Sequence, residues 1–132
     1  MAEIIASGDW WTFDSDGLLD IFIGGNMPNY TSANNVPWSN RVGSVRTVTI
    51  RDSVTSIGTY AFISSTGLTS VTMPESLTNI GDYAFHNCSA LTGITIPESV
   101  TTISNNAFNE CNALEDVYYA GTEAMWNEIS IN

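Results

Sequence analysis

Apolar and polar residues alternate in short runs through the middle of the chain. In the run 70–74, Val71 and Met73 point to one side, while Ser70, Thr72 and Pro74 point to the other. A period of two predicts a β-strand with one buried face, and the proline ends it because proline cannot donate to a sheet. The next apolar residues predict a second short strand closed by a glycine, and the segment after it predicts one helical or 3₁₀ turn.

This pattern returns at a constant offset of 23 residues, as Phe62, Phe85 and Phe108 show. No insertion interrupts the spacing, which marks the chain as a repeat protein. The other aligned positions are Val54, Leu77 and Val100; Ile57, Ile80 and Ile103; Ala61, Ala84 and Ala107; Leu68, Leu91 and Leu114; Val71, Ile94 and Val117; Met73, Ile96 and Tyr119. A partial copy precedes them, with Val45, Val48 and Ile50 at the last three positions.

A single repeat unit cannot fold alone. Burying its few apolar side chains does not offset the conformational entropy lost when the whole unit is ordered. Stacked units bury one another's apolar faces and add backbone hydrogen bonds between neighbours, so stability grows with the number of copies. The pattern therefore predicts coils, each made of a strand, a corner, a short strand and a turn.

The N-terminal segment departs from the repeat, as the end of a stacked array must. Residues 10–24 alternate across a turn at 14–17 and predict a β-hairpin. We expect a loop to follow, with a short helix near 37–42 and with Trp38 as a hydrophobic plug.

The C-terminal segment replaces the proline corner with a glycine and continues as a short helix. Thr122 can cap this helix, which would carry Met125 and Trp126 onto the last coil. Both ends therefore have the character of caps, and we expect one complete domain. Its predicted parts are an N-terminal cap at 1–44, repeats at 45–119 and a C-terminal cap at 120–132.

The two middle copies nearly complete the pattern IGxYAFxxCxxLTxVxIPxS, from which Ser65, Met73 and Ile94 depart. It resembles the BspA-like (Treponema pallidum-type) leucine-rich repeats of bacterial and some protist surface proteins, and the resemblance covers residues 45–119. It implies a leucine-rich-repeat solenoid, a β-rich α/β fold in which a right-handed coil carries a parallel sheet along one face. It also implies a bacterial surface or secreted protein that adheres to other proteins without enzymatic activity, in some relatives to host matrix proteins.

The chain is acidic, with 3 Lys and Arg residues against 14 Asp and Glu residues and a net charge of −11. An acidic surface repels phosphate groups, which argues against nucleic acid and anionic lipid as partners. No apolar run is long enough to cross a bilayer, and the first residues lack the basic start and apolar core of a signal peptide. The sequence alone is consistent with a cytoplasmic protein or with the mature part of an exported one. The resemblance implies an extracellular or cell-surface location, and we expect a monomer.

Two sets of acidic residues could be taken for metal sites. Asp14 and Asp16 precede a glycine as in a calcium loop, but the closing glutamate is missing and an Asp-Gly hairpin turn explains the letters. Asp52, Glu75 and Glu98 recur at the repeat offset and form a row that a cation could bridge, although a solvated edge is the simpler interpretation. We expect no metal and no cofactor.

The cysteines and the single histidine do not form a catalytic group. Cys88 and Cys111 lie one coil apart in a column where Ser65 precedes them, so the position requires a small side chain and predicts buried free thiols. His86 occupies a position that holds isoleucine and asparagine in the other units, which predicts a partly exposed corner. No serine or acid has a spacing that ties it to this histidine.

The outward residues of the long strands remain as a candidate protein-binding face. A solvated sheet would also carry threonines there, but solenoids often use such a face for binding. The candidate residues are Thr47, Thr49, Arg51, Ser70, Thr72, Thr95, Asp116 and Tyr118.

A carbohydrate-binding module is the alternative interpretation. Exposed aromatic rings can stack on sugars, and Trp10, Trp11, Tyr118 and Tyr119 are the candidates. Burial of these rings in the caps would remove the platform that this function requires.

Overall fold

The computed structural model describes residues 2–104, 106–127 and 130–131. Short strands joined by turns make up most of it. The strands are β1 (Ile4–Ser7), β2 (Trp11–Asp14), β3 (Leu18–Ile21), β4 (Gly25–Asn26), β5 (Thr47–Ile50), β6 (Val54–Ile57), β7 (Ser70–Thr72), β8 (Asn79–Ile80), β9 (Gly93–Ile96), β10 (Thr102–Ile103), β11 (Asp116–Tyr119) and β12 (Ser130–Ile131). The helix α1 spans Glu123–Asn127, and 3₁₀ helices lie at Ala33–Asn35 and Ser39–Ser44.

Successive repeats lie in register on one another. The second strands of three consecutive units, β6, β8 and β10, form a parallel ladder in which Asn79 lies opposite both Ser56 and Thr102. The first strands pair in parallel with the same offset, β5 with β7 and β9 with β11. Each residue therefore faces its counterpart one repeat away, and the predicted fold of stacked leucine-rich-repeat coils is confirmed.

The N-terminal segment extends the sheet of first strands. β2 and β3 form the predicted antiparallel hairpin, and β3 then pairs in parallel with β5. β1 adds an antiparallel strand outside β2, which the residue pattern did not predict. The short helix expected near 37–42 is the 3₁₀ helix Ser39–Ser44, and Trp38 before it is fully buried, as predicted for the plug.

The sheet of first strands is interrupted between β7 and β9. β1, β2, β3, β5 and β7 form one sheet and β9 with β11 another, whereas the second strands form an unbroken sheet from β4 to β12. Val71 and Met73 beside the interruption are half-buried, while Ile94 and Ile96, their counterparts in the next coil, are buried. The coils are thus hydrogen-bonded without a break on one side and with a break on the other.

The segment after the second strand is a series of turns rather than the predicted helical or 3₁₀ turn. The N–H groups of residues 61, 63 and 65 donate three residues back within the coil, whereas those of Tyr60, Phe62 and Ser64 donate to the next coil at 2.7 to 3.0 Å. This alternation uses left-handed backbone at Tyr60 and Ser64, with φ angles of 64° and 59°. A helix would use every N–H inside its own coil, so bonding between coils excludes it.

A column of aromatic rings runs through the core. Trp38, Phe62, Phe85 and Phe108 stack in that order, with ring centroids 5.8, 5.3 and 5.3 Å apart. The indole Nε1 of Trp38 donates to the carbonyl oxygen of Ala61 at 2.9 Å, which fixes the ring over the first complete coil. Trp38 therefore extends the column by one ring before Phe62, where the repeats supply no phenylalanine.

The C-terminal helix covers only part of the last coil. Thr122 Oγ1 accepts a hydrogen bond from the backbone N–H of Met125 at 3.1 Å, as predicted for the cap, and the Trp126 ring packs 5.4 Å from that of Tyr119. Met125, which was predicted to pack on the coil, is 38% exposed. Adjacent residues on a helix face different directions, so a helix this short cannot turn both side chains inward. Val117 beneath it remains 48% exposed.

Phe85→Ala is expected to lower the free energy of unfolding by about 3–5 kcal/mol, because it opens a cavity in the centre of the aromatic column. Phe85 is fully buried and stacks on Phe62 and Phe108. Urea denaturation measures the effect. Phe108→Ala is the matched control, since Phe108 is only half-buried, and its loss should be smaller. A loss below about 1 kcal/mol for Phe85→Ala would contradict its place in the core.

Tyr30→Phe is expected to change how stability depends on alkaline pH. The Tyr30 hydroxyl is buried without a hydrogen-bond partner among the described residues, and burial raises the pKa of Tyr30 from 10.0 to about 12. The folded protein holds this proton more tightly than the unfolded chain, so its contribution is complete below pH 10.0 and is lost as the pH rises towards about 12. Denaturation across this range should show a smaller loss for the variant than for the wild type. The same pH dependence in both would contradict this assignment.

Candidate protein interface

The outward side chains of the first strands lie together on one open surface. We call it the outer strand face, and it consists of Thr47, Thr49, Arg51, Ser70, Thr72, Thr95, Asp116 and Tyr118. Strand pairing places Thr49 beside Thr72 and Thr95 beside Tyr118. The members on β7, β9 and β11 are exposed, and those on β5 are half-exposed. The alternation that buries Val48 and Ile94 on the other side turns these residues towards solvent.

Arg51, at one edge of the outer strand face, is held by an acid that sequence reasoning did not connect with it. Its Nε and Nη2 donate to the two carboxylate oxygens of Asp20 at 2.8 and 2.9 Å. This hydrogen bond, and then the charge of Asp20, raise the pKa of Arg51. Asp20 lies on β3 opposite Thr49, so the hairpin adds a polar row to the face. The sequence signal for this contact was the outward position of Asp20 between the buried residues Leu19 and Ile21.

A shallow pocket marks the interruption between β7 and β9. It has a volume of about 270 Å³, and Thr72, Thr95 and Met73 contribute to its lining. Pro74 and Pro97 were expected to point outward with the threonines, but both are buried. The carbonyl oxygen of each proline accepts a hydrogen bond from the N–H group of the residue three positions later, which closes a turn. This turn directs the proline ring inward.

Positive charge is confined to one short segment beside the outer strand face. Arg41, Arg46 and Arg51 are the three basic residues, and 52–132 contains no lysine or arginine. Arg41 lies over the ring of Phe13 with its guanidinium carbon 6.0 Å from the centroid, while Arg46 donates to the carbonyl oxygen of Gly43 at 2.8 Å. Most of the array therefore presents an acidic surface.

Most of the candidate sugar-binding rings pack against other residues of the protein. Trp11 is buried and Trp10 is half-buried, and both meet Trp38 edge-on at centroid distances of 5.3 and 5.9 Å. Tyr119 is half-buried, and its hydroxyl donates to a backbone carbonyl oxygen at 3.2 Å. Tyr118, at 62% exposure, is the member of this set that presents a free ring. The N-terminal rings thus lose the platform that sugar binding requires.

His86 is half-buried at a turn, near the predicted corner. Its ring meets that of Tyr83 edge-on at 5.4 Å, and its Nε2 lies 3.8 Å from a carboxylate oxygen of Glu110. That distance exceeds a hydrogen bond. The arrangement places a carboxylate near the histidine, which sequence reasoning did not foresee.

Cys88 and Cys111 are free and buried, as predicted. Their thiols donate to the carbonyl oxygens of Phe62 and Phe85 at 3.4 and 3.0 Å. The neighbouring thiol of Cys111 and then burial raise the pKa of Cys88. Each of the two thiols bonds to the backbone of the preceding coil.

The acidic residues considered for calcium have other roles or stand in solvent. Asp14 Oδ1 accepts the backbone N–H groups of Asp16 and Leu18 at 2.9 and 3.1 Å, which is the bonding of a hairpin turn. Asp52, with Glu75 and Glu98 of the same row, is exposed. Within 2–104, 106–127 and 130–131, no group of three or more potential ligands is arranged around one point.

A family model agrees with the observed coils. Six copies of the BspA type leucine rich repeat region match residues 38–129. The chain belongs to this family. The match begins at Trp38, the residue that starts the aromatic column.

Solved structures of bacterial leucine-rich repeat proteins share the fold. One from Eubacterium ventriosum is 24% identical with a TM-score of 0.61, over 92% of this chain and 45% of that one. A leucine rich cell surface protein from Faecalibacterium prausnitzii is 22% identical with a TM-score of 0.52, over 91% and 40%. A protein from Bacteroides capillosus is 29% identical with a TM-score of 0.59, over 90% and 100%.

The chain spans less than half the length of the first two of these structures. No curated protein matches the sequence significantly. Among the helices that the structure describes, none has the length and apolarity to cross a membrane.

Proposed function

We propose that this chain is a non-enzymatic protein-interaction and adhesion module of a bacterial surface or secreted protein, and that it binds through the outer strand face. The observation that supports this most is the register that aligns small outward side chains along the first strands. Family membership supports an interaction scaffold, and the cell surface description of the Faecalibacterium prausnitzii relative supports the location.

The outer strand face combines a centre of small side chains with two distinct edges. Threonine hydroxyl and methyl groups in the centre allow a partner to approach the sheet closely, and the pocket between β7 and β9 admits a small side chain. Tyr118 supplies an exposed ring, and Arg51 supplies a guanidinium that Asp20 already orients. Tyrosine and arginine are the side chains that most often dominate binding energy at protein interfaces.

The absence of catalysis is part of the proposal. The pair of His86 and Glu110 is too far apart for a hydrogen bond, and the buried thiols donate to backbone carbonyl oxygens. An activated nucleophile requires a base within hydrogen-bond reach. We place host extracellular matrix or cell-surface proteins first among candidate ligands, because the family resemblance implies adhesion, and we propose that the module acts as a monomer.

Arg51→Ala combined with Tyr118→Ala is expected to weaken binding to a protein ligand captured from extracellular matrix by about thirtyfold, the effect of losing about 2 kcal/mol at an interface. Surface plasmon resonance measures the affinity. Both side chains are exposed, so circular dichroism and thermal unfolding should change little. Ser89→Ala combined with Asn112→Ala is the matched control, since both residues are exposed in the turn segment. Unchanged affinity of the Arg51 and Tyr118 variant would exclude the outer strand face as the site.

A glycan array tests the carbohydrate alternative, which the exposure of Tyr118 still favours. Glycan binding that Tyr118→Ala abolishes, together with no retained matrix protein, would replace the proposed function with sugar recognition.

A further inference from the structure

The strand β11 lies at the edge of its sheet, beside the helix α1, which covers the last coil only in part. Among the described residues β11 pairs with β9 alone, in an unbroken register from Asp116 to Tyr119. Edge strands are usually protected by lysine, proline, a bulge or a covering segment, because their free backbone groups recruit other strands. β11 contains no lysine or proline, and its regular register excludes a bulge.

The hydrogen bonds beside β11 show which backbone groups face away from β9. The N–H group of Asp116 donates to Thr92, just before β9, at 3.2 Å, and that of Ala120, just after β11, donates to Ile96 at 3.0 Å. Alternate residues of a parallel strand bond to opposite sides, so the N–H groups of Val117 and Tyr119 point away from β9. An added strand would receive these donors in the same register that β11 uses towards β9.

A side-chain site lies directly beside this edge. Val117 and Tyr119 occupy core columns of the repeat, but Val117 is 48% exposed. Together with Trp126 and Glu123, they line a pocket of about 420 Å³. Peptides that add a strand to a sheet gain affinity from main-chain bonds and specificity from pockets that take alternate side chains. β11 and the pocket supply both features.

The charges around the edge select the occupant. Glu115, Asp116 and Glu123 are exposed beside Val117, and the nearest arginines lie in the first half of the chain. A second copy would bring the same carboxylates and a net charge of −11 against them. Charge therefore opposes a homodimer at this edge and favours a cationic partner.

We propose that the edge of β11 is a second binding site, which takes an extended basic peptide segment as an added parallel strand. An aliphatic side chain of the peptide enters the pocket of Val117, Tyr119 and Trp126, while flanking lysine or arginine side chains lie against Glu115 and Glu123. This site goes beyond the proposed function, because it uses the edge and the open end of the core rather than the outer strand face.

The test uses two fluorescent peptides and the full chain. One peptide is Lys-Lys-Thr-Ile-Thr-Ile-Thr-Lys-Lys, and the other has glutamate in place of each lysine. We expect the lysine peptide alone to bind in a fluorescence anisotropy titration, and its affinity to fall as salt is added. Val117→Pro removes the outward N–H while leaving the bonds to β9, and should weaken binding by about tenfold or more, equivalent to about 1.4 kcal/mol.

Val117→Lys is a second variant for the case that Val117→Pro does not fold, and circular dichroism checks both. Ile5→Lys is its matched control, since Ile5 is an equally exposed apolar residue on the edge strand β1 at 47%. We expect Val117→Lys to abolish binding and Ile5→Lys to leave it within about twofold. Equal binding of both peptides, no binding of either, equal loss in both lysine variants, or dimerisation of the chain through this edge would each overturn the proposal.

Discussion

The fold depends on backbone hydrogen bonds that each coil makes with its neighbour. In the turn segment, alternate N–H groups bond within the coil and to the next coil, as those of Ala61 and Phe62 show. The arrangement requires left-handed backbone at positions such as Tyr60 and Tyr83, where a non-glycine side chain resists it. The hydrogen bonds to the neighbouring coil offset the cost of that conformation. Each coil therefore stabilises the one beside it.

The same constraint separates the positions that build the array from those free to serve a ligand. The aromatic column, the aliphatic columns and the buried thiols all face inward, where each side chain must match the one in the coil beside it. The outward residues of the first strands meet no such requirement. Thr72 and Thr95 contact solvent and a shallow pocket, so their identity can follow the needs of a partner without disturbing the stack.

Features that repeat could be predicted from the sequence, because a fixed offset samples the same environment several times. The strands, the buried columns and the free thiols belong to this group. Features that occur once could be predicted only where a local pattern marks them, as for the hairpin of β2 and β3 and the plug at Trp38. β1 carries no repeat signal, and the partnership of Arg51 with Asp20 depends on which strand the hairpin places beside β5. The helical turn was wrong because spacing within one coil does not reveal bonds between coils.

Charge is distributed unevenly along the array. At the N-terminal end, three arginines are all held by contacts within the protein, with Phe13, Gly43 and Asp20 as their partners. The remaining coils carry carboxylates with no basic side chain to balance them. These carboxylates oppose the approach of a second copy to the edge of β11 that we propose as a binding site. The same charges favour a cationic partner there.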